Sequence, residues 1–147
     1  MYQRILVATD GSSLSKKAVK TATDLAALAG AELVAINVVP RYPQSYFEGG
    51  IALATEAVHR VEDQWAAQGQ AVVDAVKKTG AAKGVTVKAI TVKSDIVSDA
   101  VLTAAKKHKC DLIVMASHGR KGIKRLLLGS ETQHVLIHAS MPVLILK

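Results

Sequence analysis

The sequence predicts an α/β fold: a doubly wound, five-stranded parallel sheet in the order 3-2-1-4-5 with helices on both faces. Three observations carry that expectation. Short apolar runs rich in Val, Ile and Leu recur along the chain, separated by segments of helical period. The first run is continuous rather than alternating, as a strand buried on both faces requires. Of the 147 residues, 50% are hydrophobic but only 3% are aromatic, so the core is built from Val, Ile, Leu and Ala.

The elements follow in order. "RILVAT" (Arg4–Thr9) is the first strand. "DGSS" is a turn and cap cluster opening a helix with Leu14, Ala18, Ala22, Leu25 and Ala29 in period, which Gly30 stops. "ELVAINVV" (Glu32–Val39) is the second strand, ended by Pro40. "PRYPQSYFEGG" is irregular, and its Tyr42, Tyr46 and Phe47 either tuck onto the body of the domain or serve as a ligand lid. A long helix then carries Val58, Val61, Trp65, Val72 and Val76 at helical spacing and ends around Thr79–Gly80. Trp65 reads as a core residue rather than a stacking platform. "GVTVKAITV" (Gly84–Val92) alternates and is the third strand, more exposed on one face. A helix follows with a Ser or Asp cap and basic residues at its negative end. "DLIVMA" (Asp111–Ala116) is the fourth strand, "SETQHVLIHAS" a short helix, and "VLILK" after Pro142 the last strand. No repeat or linker interrupts the order, so residues 1–147 are expected to form a single domain.

In a Rossmann-like layout of this kind, ligands bind at the carboxyl ends of the strands, where the winding reverses. Here that crevice lies between strands one and four. Asp10 ends strand one, and "MASHGRKGIKRLLLGS" (Met115–Ser130) begins at the end of strand four. Segments over a hundred residues apart in sequence therefore converge on one place.

The Met115–Ser130 segment holds Gly119, Gly122 and Gly129 with Arg120, Lys121, Lys124 and Arg125. Gly119 and Gly122 permit backbone conformations and close approaches that a side chain would block, and Gly129 comes just before Ser130. Ser130 reads as the N-cap of the next helix, whose unpaired N–H groups suit a phosphate. Ser130 and Thr132 can offer hydroxyls to phosphate oxygens. Asp10, across the crevice, can accept from ribose hydroxyls or face a phosphate-bound divalent ion. The segment is neither a Walker loop nor a dinucleotide fingerprint, and an ordinary strand–helix connection stays open on these residues alone.

Charge and cysteine content narrow the class. The formal charge is +7, from 19 basic and 12 acidic residues, which favours anionic partners or simply keeps the chain soluble. The apolar runs are far shorter than the ~20 residues a membrane span needs, and the first residues lack the charged and apolar regions of a signal peptide. Cys110 is single and has no internal disulfide partner, which fits a reducing cytoplasm. A cytoplasmic protein without membrane contact is expected.

"RILVATDGS", "DLIVMASHGRKG", "LLLGS" and "PVLILK" together resemble the universal stress protein A family from end to end. Its ATP-binding members carry Gly, two residues, Gly, nine residues, then Gly-Ser/Thr. Here the register is Ala116, Ser117-His118, Gly119, nine residues (Arg120–Leu128), Gly129 and Ser130, so Ala116 stands in for the first glycine. The resemblance implies an ATP-binding regulatory or stress-response protein, the nucleotide arriving with Mg2+. It implies that Ala8, Thr9 and Asp10 line the ribose side and that Val38 offers backbone groups to adenine. Met115 and Ala116 would flank the nucleoside, and Gly119, Gly129, Ser130, Glu131 and Thr132 would surround the phosphates. Glu131 suits a triphosphate only if its side chain points away or meets the metal. The resemblance further implies a homodimer through the last strand, Val143–Leu146, which is apolar and aggregation-prone if left bare. The alternative is a family member that binds no ATP and acts as a dimeric interaction module.

Other chemistries fit less well. A nucleophile elbow at Ser117 needs Gly where Met115 stands, and no Asp follows Ser117. His59, His108, His134 and His138 have no metal spacing with Cys110. A receiver domain needs paired acids after strand one, where only Asp10 is present, and the loop there is short for a flavin phosphate. Nucleic-acid binding rests on the basic loop alone. No residue is placed as a base for attacking water, so the chain reads as a binder, with slow ATP hydrolysis left open.

Overall fold

The computed structural model describes residues 1–42, 55–119 and 128–147. Within them β1 (Arg4–Ala8), β2 (Glu32–Val39), β3 (Val87–Lys93), β4 (Leu112–Ala116) and β5 (Val143–Leu146) form one sheet. All four pairings are parallel and the order is β3-β2-β1-β4-β5, as the sequence predicts. The helices are α1 (Ser13–Ala29), α2 (Thr55–Ala82), α3 (Val97–Lys107) and α4 (Ser130–His138). Alternate strand residues feed two cores, because successive side chains leave a strand on opposite faces. Ile5, Val7, Leu33, Ala35 and Val114 meet Ala18, Ala22 and Ala26 of α1 and Val73 and Val76 of α2. Leu6, Val34, Ile36, Ile113 and Met115 meet Val101, Ala104 and Ala105 of α3 and Val135 of α4. No helix among the described residues is long and apolar enough to cross a membrane.

The caps of α1 follow the sequence. Ser12 accepts a hydrogen bond from Ser15 N–H at the N-terminus, and Gly30 takes the left-handed conformation (φ 66°) that lets the chain leave the C-terminus. Other boundaries differ from expectation, each for a local reason. β1 stops at Ala8, and Thr9 makes one further bond from its N–H to Ile36 O before the chain turns. Asp111 precedes β4 rather than opening it, because its carboxylate accepts the Gln3 and Arg4 N–H groups at the start of β1. α3 begins after Ile96, with no Ser or Asp side chain capping it. The N-cap of α4 is Gly129, with no side-chain cap bond, so Ser130 is the first helical residue instead of the cap.

α2 runs past Gly80 to Ala82, and β3 starts at Val87, with Gly84 (φ 71°) making the turn between them. Gly69 and Gly80 are buried packing positions rather than stops. A Cβ on Gly80 would lie 2.2 Å from Val87 Cγ2, and one on Gly69 would lie 2.5 Å from Asn37 Oδ1. The helix thus seats its backbone directly on β2 and β3. Its fully buried residues are Gly69, Val73, Val76 and Gly80; of the expected stripe Val76 is buried, whereas Val58, Val61, Trp65 and Val72 are half-buried. Trp65 is half-buried and stacks on Tyr42 at 6.1 Å between ring centres, above the core rather than inside it. Pro43, Tyr46 and Phe47 lie outside the described residues.

At the amino end of the sheet, Arg4 donates to His108 O at 2.6 Å and pairs with Glu32. Burial, then the neighbouring Lys88, Lys107 and Arg4, hold the His108 ring below its ordinary pKa of 6.5. A histidine kept neutral in the fold takes up protons more readily when unfolded. Its contribution to stability is therefore complete above 6.5 and is lost as the pH falls below that value towards the lowered folded pKa. The melting temperature is expected to fall across that window, and His108→Gln to flatten the decline in a pH series of thermal melts.

Candidate functional site

The crevice lies where the winding reverses, between the carboxyl ends of β1 and β4. On the β1 side, Gly11 takes φ 80° and the chain turns into α1. Asp10 Oδ1 accepts Ser12 N–H at 2.9 Å, which fixes the carboxylate against its own turn. Its other oxygen faces β4: a Cβ on Gly119 would lie 2.9 Å from Asp10 Oδ2. Sequence positions 10 and 119 thus meet, as expected.

On the β4 side, two backbone segments close on each other. Gly129 N–H donates to Ser117 O at 2.8 Å, and Ser117 N–H continues the ladder to Leu146 O at 2.8 Å. A Cβ on Gly129 would meet Ser117 O at 3.3 Å and His118 Cα at 3.5 Å, so the loop ends approach with no room to spare. Thr132 Oγ1 donates to Ala116 O at 3.0 Å, tying the first turn of α4 to the last residue of β4. Ser117 Oγ lies 3.1 Å from His118 Nδ1. Residues 120–127, including Arg120, Lys121, Gly122, Lys124 and Arg125, lie outside the described residues.

The sequence-derived residues do not all turn the same way. Met115 and Ala116 are buried at the end of β4, and Thr9 is buried behind Asp10. Ala8 and Val38 pack at the margin of the core under α3 and α4, Val38 one strand beyond β1 from the loop. The Thr132 hydroxyl proton is committed to Ala116 O, which leaves its backbone N–H for a ligand. Glu131 turns its carboxylate away, where Oε2 accepts Ser98 N–H at 2.6 Å and so caps α3. His134 Nε2 pairs with Asp99 Oδ1 at 3.3 Å along the same α3–α4 seam. Ser130 is exposed at the helix start.

That arrangement can bind an anion. The amides of Ser130, Glu131 and Thr132 have no partner within their own helix, and the macrodipole places partial positive charge there. The cradle depends on bare backbone at Gly119 and Gly129, positions where an added Cβ meets its neighbours. The residues present therefore fit a phosphate-bearing group with hydroxyls that Asp10 can accept. Among the described residues no group of three His, Cys, Asp or Glu side chains is arranged to hold a metal ion. Burial raises the Cys110 thiol to about 11, leaving it protonated and outside this chemistry.

Two further residues, marked by no motif or spacing, have a part in this geometry. Asn37 is the one amide in the apolar run of β2, and its Nδ2 donates to Thr9 O at 2.9 Å. Ser15 Oγ lies 3.0 Å from Thr9 Oγ1 beneath the same turn. A buried amide in a strand that is otherwise apolar was the available signal.

Known proteins resemble the whole chain. The model of the universal stress protein family matches residues 1–147. Universal stress protein MJ0531 of Methanocaldococcus jannaschii is 34% identical, over 100% of this chain and 83% of its own length. The universal stress protein UspA of Lactobacillus plantarum superposes with a TM-score of 0.83 at 25% identity, covering 99% of this chain and 98% of that one. A universal stress protein solved in complex with cAMP superposes with a TM-score of 0.71 at 26% identity, covering 99% and 97%.

Proposed function

This chain belongs to the universal stress protein family, and on that premise we propose that it is a nucleotide-binding regulatory protein whose ligand is ATP. The observation that carries this reading is the meeting of Asp10 Oδ2 with Gly119 beside the N-terminus of α4, which lacks a side-chain cap. The relative solved with cAMP supports an adenine nucleotide as the ligand class. Residues 1–147 act as one domain in this reading, at work in the cytoplasm.

Asp10, with Ala8 and Thr9 behind it, accepts from the ribose hydroxyls. Val38 offers backbone groups to adenine, while Met115 and Ala116 flank the nucleoside. Gly119 and Gly129 let the chain approach the phosphates, which Ser130 meets with its hydroxyl and N–H. Glu131 and Thr132 contribute backbone N–H groups, since their side chains are engaged at Ser98 and Ala116. Mg2+ arriving with the nucleotide neutralises phosphate charge. In a thermal melt, saturating ATP with Mg2+ raises the melting temperature, because a ligand that binds only the folded state stabilises it. An unchanged melting temperature at millimolar ATP contradicts the reading.

The protein works as a homodimer in the same proposal. β5 is an outer strand of the sheet, with Leu144 37% exposed, and α4, the helix before it in the chain, leaves Ile137 73% exposed. An apolar edge of this kind is covered in stable proteins. Leu144→Asp is expected to shift the protein from dimer to monomer in sedimentation velocity. A dimer that forms normally while ATP fails to bind would favour the interaction-module alternative.

A further inference from the structure

We infer that Asn37, seated over Gly69, is a positioning residue that sets Asp10 for the ribose; the inference rests on the nucleotide reading above. Parallel pairing between β1 and β2 goes one bond past the strand, from Thr9 N–H to Ile36 O at 3.0 Å. The next carbonyl, Thr9 O, is taken by the side chain of Asn37, whose Nδ2 donates to it at 2.9 Å. A side chain thus replaces the backbone donor at the point where the chain leaves the sheet and Asp10 begins.

The amide is held from behind. Asn37 is buried, with 8% exposure, and its Oδ1 occupies space that any side chain on Gly69 would claim, since a Cβ there would come within 2.5 Å. A bare backbone in the middle of α2 is what lets the amide stand upright. From Thr9 the hydrogen bonds continue into the turn. Thr9 Oγ1 contacts Ser15 Oγ at 3.0 Å and accepts Gly11 N–H at 3.3 Å. Ser15 Oγ in turn donates to Ser12 O at 3.0 Å, and Ser12 N–H holds Asp10 Oδ1 at 2.9 Å. The residues on both sides of Asp10 are therefore fixed to one network that runs inward to buried Thr9 and Asn37, and its carboxylate is aimed at Gly119. Neither Asn37 nor Gly69 belongs to the proposed ligand contacts, so each would act through Asp10.

The test is the ratio of dissociation constants for 2′,3′-dideoxy-ATP and ATP, measured by calorimetry with Mg2+. The unmodified protein is expected to prefer ATP by about tenfold, the worth of a hydrogen bond to a charged acceptor. Asn37→Leu should bring the ratio to within about twofold of unity, as Asp10→Ala does, and should change it no further in the Asp10→Ala background. Gly69→Ala, which improves helix propensity while crowding the amide, should do the same and serves if Asn37→Leu does not fold. A purely structural role lowers the melting temperature and leaves the ratio at its original value, which would overturn the inference while ATP binding stood. Equal binding of both nucleotides by the unmodified protein would also overturn it, by removing ribose recognition from Asp10. Binding of neither nucleotide would remove the nucleotide reading and the inference together.

Discussion

Gly129→Val is expected to abolish ATP binding and leave the sheet folded. A single Cβ at position 129 already meets Ser117 O at 3.3 Å and His118 Cα at 3.5 Å, so the branched side chain must push against backbone. The hydrogen bond from Gly129 N–H to Ser117 O then opens, and the first turn of α4 moves off the end of β4. Loss of a favourable cap residue adds a stability cost of about 1 kcal/mol, small enough for the domain to remain folded. Gly129→Ala is the graded control. Its Cβ is tight but needs only a few tenths of an ångström of relief, so weakened rather than lost binding is expected. Gly119→Val works differently, since its Cβ meets the movable carboxylate of Asp10 at 2.9 Å. That variant should keep its melting temperature and lose ATP binding because Asp10 is displaced. Calorimetric titration of the three variants checks the order, and unchanged affinity in both valine variants would make the loop structural only.

The largest effect on stability is expected at Gly80→Val. The new Cβ would begin 2.2 Å from Val87 Cγ2 and 3.3 Å from Val85 O, inside the contact between α2 and β3. Val87 is β-branched and held in the sheet, so its χ1 has little freedom to move the methyl aside. The helix must lift from the strand, and overpacking of this kind costs about 3 kcal/mol. For a chain of this size that corresponds to a fall of roughly 6–12 °C in melting temperature. Equilibrium unfolding in urea should give a lower midpoint with an unchanged slope, because the surface exposed on unfolding stays nearly the same. The gain in helix propensity on replacing glycine offsets only a fraction of that loss.

The strand order was legible because the buried strands announce themselves as apolar runs and the connections leave few arrangements. "LIVMA" becomes β4, buried along its whole length, and the "VLIL" of "VLILK" becomes β5, without Lys147. Gly30 was legible because a left-handed residue after a periodic helix has few other meanings. Gly80 reads as a stop for the same reason, and is not one. A glycine near the end of a helical pattern is as consistent with a stop as with a close helix–sheet contact, and only the packing of Val87 decides between them. On α2 the expected Val76 is buried, but Val73 rather than Val72 points inward, because valines occupy both positions and the one that is buried depends on how close the two glycines bring the helix.

At the site, the convergence of Asp10 with Gly119 was legible from topology, whereas the direction of each side chain was not. Glu131 reads in sequence as a carboxylate beside the phosphates. The three-dimensional structure turns it towards Ser98 N–H, a donor thirty-three positions earlier in the chain that lacks a local cap. Thr132 similarly reads as a phosphate hydroxyl and instead bonds the β4 carbonyl. Both depend on contacts between α3, α4 and β4 that no local spacing reveals.

Calorimetric titration of the unmodified protein with ATP and Mg2+ decides whether the crevice between β1 and β4 binds the nucleotide. Saturable binding is expected at millimolar nucleotide or below, lost in Gly129→Val at matched secondary-structure content. A flat titration of the folded protein at millimolar ATP would leave the crevice without its ligand and overturn the nucleotide reading.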